Sequence, residues 1–394
     1  VLWAARDYAL ALRTLDAPST QAARHKESVA ERFLWKGELL FWLHRESEAR
    51  SAIEAASEAL RYSRGHRPPE AAARYLMLVA QSEFLRGHGP RALRALRVAS
   101  NYARKSSQPA LRARVMNSMG IVLQQTGDYK RSRTQFERAL KLRTLLGDIE
   151  GVIGTTLNLG RAHQFAGTLV KGAAHFQAAA TTAQRFAHHG ALAMALRFLA
   201  QIYDQQLNTR LAAATFTRVV QLSERVGNDV ELMQAAWELA PISAATGDHE
   251  TCMRMLAKSS HLARTKSTGY ARATHHLVCG LTAMHLGDER RAALCIGRAH
   301  RRSHELFTEN AALVNVLMRH MNRRTSCEAD DVSSGTTSRP PRGERARTVY
   351  RAQIWSEAAL SRSEQHLARL RDPLSNSKLA SHTLAGRERR LVVE

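Results

Sequence analysis

The sequence has few of the residues that cross-link small secreted domains or build a β-rich core. Only four of its 394 residues are Cys, and no two lie at a C-x₂-C spacing, so neither a disulfide framework nor a Cys-based zinc site is indicated. Aromatic residues make up 6%, and Ala and Leu dominate, which favours helices. No apolar run approaches the roughly 20 residues of a membrane span. Arg6, Asp7 and Arg13 interrupt the first apolar stretch, so a secretory signal is not expected there. A reduced, cytoplasmic location is the expectation.

Acidic residues are also scarce relative to basic ones. The chain has 58 Lys and Arg against 35 Asp and Glu, a formal net charge of +23, and 49 of the 58 basic residues are Arg. These charges are spread along the sequence without a concentrated basic tail. Nonspecific binding to nucleic acid requires only neutralised phosphates, but no known DNA-binding module with interleaved aromatic and basic residues is present. The Arg excess therefore indicates acidic protein partners before it indicates nucleic acid.

A regular repeat organises most of the chain. Steps of 40 from Gly160 in either direction reach a small residue each time, and seven residues further on Gly occurs in five of six units. Small, large and small residues follow at +12, +16 and +19, as in Gly172, Phe176 and Ala179. This spacing predicts a helix-turn-helix pair in which Gly ends the first helix in the left-handed conformation. The +12, +16 and +19 set forms one face of the second helix. Each pair leaves an apolar face open, so the pairs are expected to stack.

The pattern small-x₁₁-Ala-x₃-Phe-x₂-Ala, carried by Gly160, Gly172, Phe176 and Ala179, resembles the tetratricopeptide repeat family. The period here is 40 instead of about 34, and the Pro that usually closes the second helix is missing. The longer repeat looks like those of kinesin light chains and many bacterial regulatory proteins. The resemblance implies an all-α, right-handed superhelix, or α-solenoid, of about seven hairpins. It also implies partner binding and no catalysis.

The composition along the chain predicts five segments. Residues 1–20 are expected to form an N-terminal helix and cap, and residues 21–324 the repeat array. Residues 325–345, rich in Ser, Thr, Pro, Gly and charge, are expected to be a flexible linker. A helix over 346–372 and a weakly ordered tail over 373–394 complete the prediction. The hairpins are expected at 21–64, 70–106, 109–147, 149–187, 190–227, 229–267 and 269–307.

The resemblance also implies a set of groove residues. In the tetratricopeptide repeat family, the positions −6, −3, +1, +4 and +5 from the small slot of each first helix face the concave groove. Transferred unit by unit, they are polar and basic in the middle of this array and more apolar near Trp237. Asn158, at −2, matches a position where family members often bond a peptide backbone. Because Arg can bind a carboxylate through two parallel hydrogen bonds, an acidic or C-terminal peptide is the expected ligand. The predicted groove residues are Arg114, Asn117, Gln124, Asn158, Arg161, Gln164, Arg197, Gln201 and Trp237.

Motifs for catalysis and cofactor binding are missing from the sequence. The patterns GxxxxGK[ST], GxGxxG, HExxH and GxSxG do not occur, so no enzyme, cofactor or metal is expected. His300 and His304 are spaced for one helix face, but no third zinc ligand follows at a motif spacing. Cys279 and Cys295 are expected on the two helices of one hairpin, where they pack instead of reacting.

Together these features predict a protein-interaction scaffold or sensory module of a bacterial signalling or transcriptional regulator. One alternative stays open. Residues 384–391, LAGRERRL, resemble the start of a LuxR-type helix-turn-helix, which would make the chain a DNA-associated regulator, or a fragment of one, with a truncated reading domain. The sequence does not identify the partner or the oligomeric state.

Overall fold

A computed structural model describes residues 12, 15, 26–42, 45–62, 68–265, 269–305, 313–315 and 317–319. In these ranges the chain forms helices of nearly uniform length, separated by turns of two or three residues over most of the array, and no strand. The elements are α1 (Lys26–Trp42), α2 (Glu46–Tyr62), α3 (Pro69–Leu85), α4 (Gly89–Lys105), α5 (Pro109–Gln125), α6 (Tyr129–Leu145), α7 (Ile149–Phe165), α8 (Leu169–Arg185), α9 (His189–Gln205), α10 (Thr209–Arg225), α11 (Asp229–Thr246), α12 (His249–Thr265), α13 (Gly269–His285), α14 (Glu289–Arg301) and a 3₁₀ turn at Ser303–Glu305.

The helices pair in the order predicted from the sequence repeat. The chain divides into two compact units, residues 1–231 and 232–394. In the first unit, each odd-numbered helix packs against the next even-numbered helix, and each even-numbered helix packs against the first helix of the following hairpin. Successive odd-numbered helices also touch one another. In the second unit, α13 packs against α14 in the same way. The predicted all-α class and hairpin repeats are confirmed.

The turns inside the hairpins follow the predicted chemistry. Gly127, Gly167 and Gly287, all at the +7 slot, have φ of +82°, +74° and +76°, in the left-handed region that Gly adopts without a steric penalty. The Asp that follows Gly127 accepts a hydrogen bond from the backbone N–H of Arg131 at 3.0 Å. Equivalent caps at Asp248 and Asp288 measure 3.0 and 2.9 Å. These caps satisfy backbone donors that the first helical turn leaves unpaired.

The large residue at the +16 slot forms the centre of each hairpin. Phe136, Phe176 and Phe216 are all fully buried. A Cβ placed on Gly160 would lie 2.6 Å from Cε1 of Phe176, closer than real carbon atoms approach. The small slot therefore lets the ring of the second helix lie directly on the backbone of the first. Packing of this density explains why the pattern repeats so strictly.

Several predicted segments lie outside the described residues. They include the linker 325–345, the helix 346–372, the tail 373–394 with its helix-turn-helix-like stretch, and most of the segment 1–20. In the helix predicted after the last hairpin, residues 313–315 and 317–319 are helical, and Val314 and Leu317 are fully buried. None of the described helices combines the length and apolar character that crossing a membrane requires.

Candidate functional site

The first helices of the hairpins in the first unit, α1, α3, α5, α7 and α9, present one continuous surface, called here the A-helix surface. Neighbouring helices of this surface are joined by hydrogen bonds between side chains about one repeat apart. Arg161 donates from Nη1 to Oε1 of Gln201 at 3.2 Å. Asn158 donates from Nδ2 to Oδ1 of Asn117 at 3.1 Å. The structure thus brings these four predicted groove residues together in two pairs.

Arg161 is held between two aromatic rings. Its guanidinium carbon lies 4.5 Å from the ring centre of Phe165 and 4.7 Å from that of Phe198. A cation near an aromatic face gains electrostatic attraction from the ring quadrupole. The rings come from α7 and α9, so the orientation of Arg161 is fixed by two adjacent hairpins.

A second network fixes Asn117. The hydroxyl of Thr155 lies 3.4 Å from Oδ1 of Asn117. Nη1 of Arg143 in turn donates to Oγ1 of Thr155 at 2.9 Å and to the carbonyl of Gly151 at 2.7 Å. Because Oδ1 of Asn117 accepts from both Thr155 and Asn158, the orientation of its amide group is defined by the neighbouring helix α7.

Two of the predicted arginines already have carboxylate partners. Arg197 donates from Nε to Oε2 of Glu231 at 2.7 Å, and the two side chains are only 9% and 4% exposed. Arg114 lies 3.1 Å from Oε1 of Glu38, with 39% of its side chain exposed. Arg197 is therefore buried beneath the A-helix surface, whereas Arg114 is exposed enough for a ligand to contact it.

Glu38 also binds Arg74, a residue that the sequence prediction did not include. Nε of Arg74 donates to Oε1 of Glu38 at 3.2 Å, and its guanidinium carbon lies 3.9 Å from the ring centre of Trp35. Arg74 lies one full repeat before Arg114, so the −6 slot would have found it if the groove rule had been applied one repeat earlier. Trp35, Glu38, Arg74 and Arg114 are called here the two-arginine cluster.

The two-arginine cluster has an excess positive charge because two guanidinium groups share one carboxylate. Nη2 of Arg74 is buried and has no hydrogen-bond partner among the described residues. Burying a charged donor without a partner is costly. Within the cluster, the guanidinium that a ligand can reach is that of Arg114, which is 39% exposed.

Gln124 and Gln164 occupy equivalent positions in successive repeats, on α5 and α7. The side-chain oxygen of each is buried and accepts no hydrogen bond within the described part of the chain. Nε2 of Gln164 donates to Oε1 of Gln205 at 3.2 Å. Trp237 is only 6% exposed and belongs to the second unit, so it is not part of the A-helix surface.

A metal-binding cluster does not assemble in the described residues, although His275 lies 3.2 Å from Oγ of Ser259 and 3.4 Å from Sγ of Cys279. No group of three or more His, Cys, Asp or Glu side chains there could hold a metal ion. His300 lies in α14 and His304 in the 3₁₀ turn, so the helical i, i+4 relation considered for them is not formed. Burial raises the pKa of the Cys279 thiol to about 11, which leaves little of the reactive thiolate at neutral pH.

Comparisons with known proteins place the fold. No protein-family model matches the chain, and no curated protein matches its sequence. The quorum sensor NprR from B. thuringiensis is similar in structure, with a TM-score of 0.55 and 12% identity over 82% of this chain and 96% of that one. A Rap protein complexed with competence and sporulation factor has a TM-score of 0.54 and 14% identity over 82% of this chain and 97% of that one.

A third similar structure contains a tetratricopeptide repeat. A STAND protein with a tetratricopeptide repeat sensor, from Pyrococcus horikoshii, has a TM-score of 0.54 and 14% identity over 75% of this chain and 46% of that one. The chain has a tetratricopeptide-like repeat fold. The resemblance predicted from the sequence repeat is confirmed at the level of fold, and the tetratricopeptide-like hairpins are what align the A-helix surface.

Proposed function

We propose that the A-helix surface binds a peptide segment of a partner protein, and that the chain is a sensory or scaffold module of a signalling or transcriptional regulator. The similar structures support this proposal by their described roles. They include a quorum sensor, a protein complexed with a sporulation factor, and a protein with a repeat sensor.

The observation that carries the proposal is the polar ladder across α5, α7 and α9. Asn117, Asn158 and Gln201 present amide groups, each with donors and an acceptor, beside the ring-held guanidinium of Arg161. An extended peptide offers alternating backbone N–H and C=O groups, which amides satisfy in pairs. A row of oriented amides on successive helices therefore matches peptide backbone better than it matches an apolar ligand.

The two-arginine cluster supports an acidic peptide in particular. Its positive charge exceeds that of its one carboxylate, and the exposed side of Arg114 gives a ligand access to it. A ligand carboxylate could approach the exposed guanidinium of Arg114, and the buried Arg74 would add to the positive potential that attracts it. Charge-assisted pairs of this kind are stronger than neutral hydrogen bonds.

Peptide selection followed by calorimetry tests the proposal. Random peptides displayed on phage are selected against the full chain, and the affinity of the best synthetic peptide is measured for three variants. Arg161→Ala is expected to weaken binding about tenfold or more, because it removes charge-assisted hydrogen bonds worth about 1.5 kcal/mol or more, and Asn158→Ala about fivefold, because a neutral hydrogen bond contributes about 1 kcal/mol. Gln177→Ala, an exposed change on the second helix α8, is the matched control.

Equal affinity of the Arg161→Ala variant and the control would rule out the A-helix surface as the site, provided that both variants melt at the same temperature. The acidic preference is tested separately with Arg114→Ala. This variant is expected to lose the preference for Asp- and Glu-containing peptides while still binding neutral ones. Retention of the full preference would remove the two-arginine cluster from the site.

A further inference from the structure

The positive charge of the first unit is concentrated on two second helices. α4 contains five basic residues and no acidic residue, and α6 contains six basic residues and one acidic residue. Their partners in the same hairpins, α3 and α5, together contain three basic and two acidic residues. A coding bias toward Arg would act on both helices of a hairpin. The asymmetry therefore belongs to the second helices α4 and α6.

The register of both helices directs most of these charges to solvent, with Arg143, whose side chain is 12% exposed, as the exception. Ala92, Leu96 and Ala99 of α4 are buried, as are Phe136 and Ala139 at matching slots of α6. The opposite faces are exposed and hold basic side chains at helical spacing, three or four residues and thus about 4.5–6 Å apart along each axis. The group named here the outer basic surface comprises Arg94, Arg97, Arg138 and Lys141.

The charges of the outer basic surface are not neutralised within the described residues. Arg94, Arg97, Arg138 and Lys141 make no ion pair there. On the A-helix surface, in contrast, Arg197 is paired with Glu231. Among the described helices of the first unit, the excess of basic over acidic residues is therefore greatest on α4 and α6.

The apolar content of the outer basic surface distinguishes between possible partners. Its large exposed apolar residues are Val98 of α4, which is 45% exposed, and Leu145 at the end of α6, which is 74% exposed. A protein interface normally has an apolar centre depleted of charge. Helices that insert into a membrane interface expose several Trp, Phe or Leu side chains on one face. Two aliphatic side chains on separate helices, with no exposed Trp or Phe on α4 or α6, form neither arrangement, whereas phosphate contacts need only exposed Arg and Lys.

We propose that the outer basic surface binds the sugar–phosphate backbone of a nucleic acid and does not read its base sequence. This surface lies on the second helices of the hairpins, away from the A-helix ladder, so it goes beyond peptide binding. A chain with both surfaces can hold a peptide and a nucleic acid at the same time.

Fluorescence anisotropy of the full chain with a short labelled duplex tests the proposal. DNA and RNA duplexes of one sequence are compared from about 50 to about 300 mM salt, since phosphate contacts make log K fall by about 0.9 per contact with log of the salt concentration. The test variant is Arg94→Gln, Arg97→Gln, Arg138→Gln, Lys141→Gln. The control removes the same charge from exposed positions on α8 and α10 with Lys171→Gln, Arg210→Gln, Arg218→Gln, Arg225→Gln.

The test variant is expected to reduce the slope of log K against log salt concentration by about 3, and the control by less than about 1. All eight positions are exposed, so both variants should keep the circular dichroism and melting temperature of the parent chain. Preference for one duplex type identifies which nucleic acid the surface accepts. The proposal is overturned if the control loses as much affinity as the test variant, or if neither duplex binds at about 150 mM salt. It is equally overturned if phosphatidylserine vesicles or polyglutamate bind through these residues while duplexes do not.

Discussion

Nε of Arg197 donates to Oε2 of Glu231 at 2.7 Å, and this ion pair is among the most buried in the first unit. The pair joins α9 to the start of α11. Both members belong to the first unit and are 34 residues apart in the sequence.

Removal of one partner of this pair should lower the free energy of unfolding far more than removal of both partners. Glu231→Ala leaves a buried guanidinium without its carboxylate and is expected to reduce the free energy of unfolding by about 3–5 kcal/mol. Arg197→Met with Glu231→Leu replaces both groups by apolar side chains of similar size, and it should recover most of that loss. Urea denaturation of the two variants provides the measurement. A double variant as unstable as Glu231→Ala would show that the pair contributes more than mutual neutralisation.

The repeat pattern predicts contacts within a hairpin better than contacts between hairpins. Gly127 with Asp128, and Gly160 with Phe176, are close in sequence and recur once per repeat, so their geometry follows from local spacing. The slot rule also identified Arg114 and Arg197 as residues of the first helices. It could not pair them with their acidic partners, because Glu38 and Glu231 lie in other hairpins, and Glu231 is at no repeated slot.

The sequence prediction likewise did not show which helix faces hold the excess positive charge. A net charge averaged over hundreds of residues gives no information about which helix face holds it. Once the register places Leu96 and Phe136 inward, most basic residues of α4 and α6 face outward, and Arg143 is the largely buried exception. The excess of Arg therefore indicates a surface on the second helices, and only part of it belongs to the A-helix surface.

Leu207 is a position where the chain departs from its repeat pattern. It occupies the slot that elsewhere holds Gly, yet it adopts φ of +60° and is 73% exposed. A side chain in the left-handed conformation costs about 1–2 kcal/mol, and little packing is lost if it is removed. Leu207→Gly is therefore expected to stabilise the chain by about 0.5–1 kcal/mol, after the extra backbone entropy of Gly in the unfolded chain is subtracted.

Thermal and urea denaturation measure this effect, and Leu145→Gly is the matched control. Leu145 is 74% exposed but is the last residue of α6, where Gly should destabilise by about 0.5–1 kcal/mol. If both substitutions change stability in the same direction, the left-handed backbone at Leu207 is not the cause.

Two glycines of α7 should respond to Ala in opposite directions. A Cβ on Gly160 would lie 2.6 Å from the ring of Phe176, and that ring cannot retreat freely because it packs 5.2 Å from Phe198. Gly160→Ala should therefore destabilise by about 1–3 kcal/mol through overpacking. A Cβ on Gly154 has no neighbour within 4 Å, so Gly154→Ala should stabilise by up to about 1 kcal/mol through helix propensity. Denaturation curves that show a gain at both positions would contradict the close packing.

A pair of stacked imidazoles makes the fourth hairpin sensitive to acid. The rings of His163 and His175 lie 5.3 Å apart with an angle of 17° between them. Burial, followed by the charges of His175, Arg133 and Lys171, lowers the pKa of His163 to about 4. The pKa of His175 is also lowered, mainly by burial.

The lowered pKa fixes the direction of the pH dependence. Between about pH 6.5 and pH 4 the unfolded chain binds a proton at His163 that the folded chain does not, so stability is complete above pH 6.5 and declines as the pH falls toward 4. His163→Gln removes this group and should flatten the melting temperature across that interval. His300→Gln, a change at an exposed position of α14, controls for the loss of an imidazole. Identical pH profiles for His163→Gln and the parent chain would mean that acid acts through other groups.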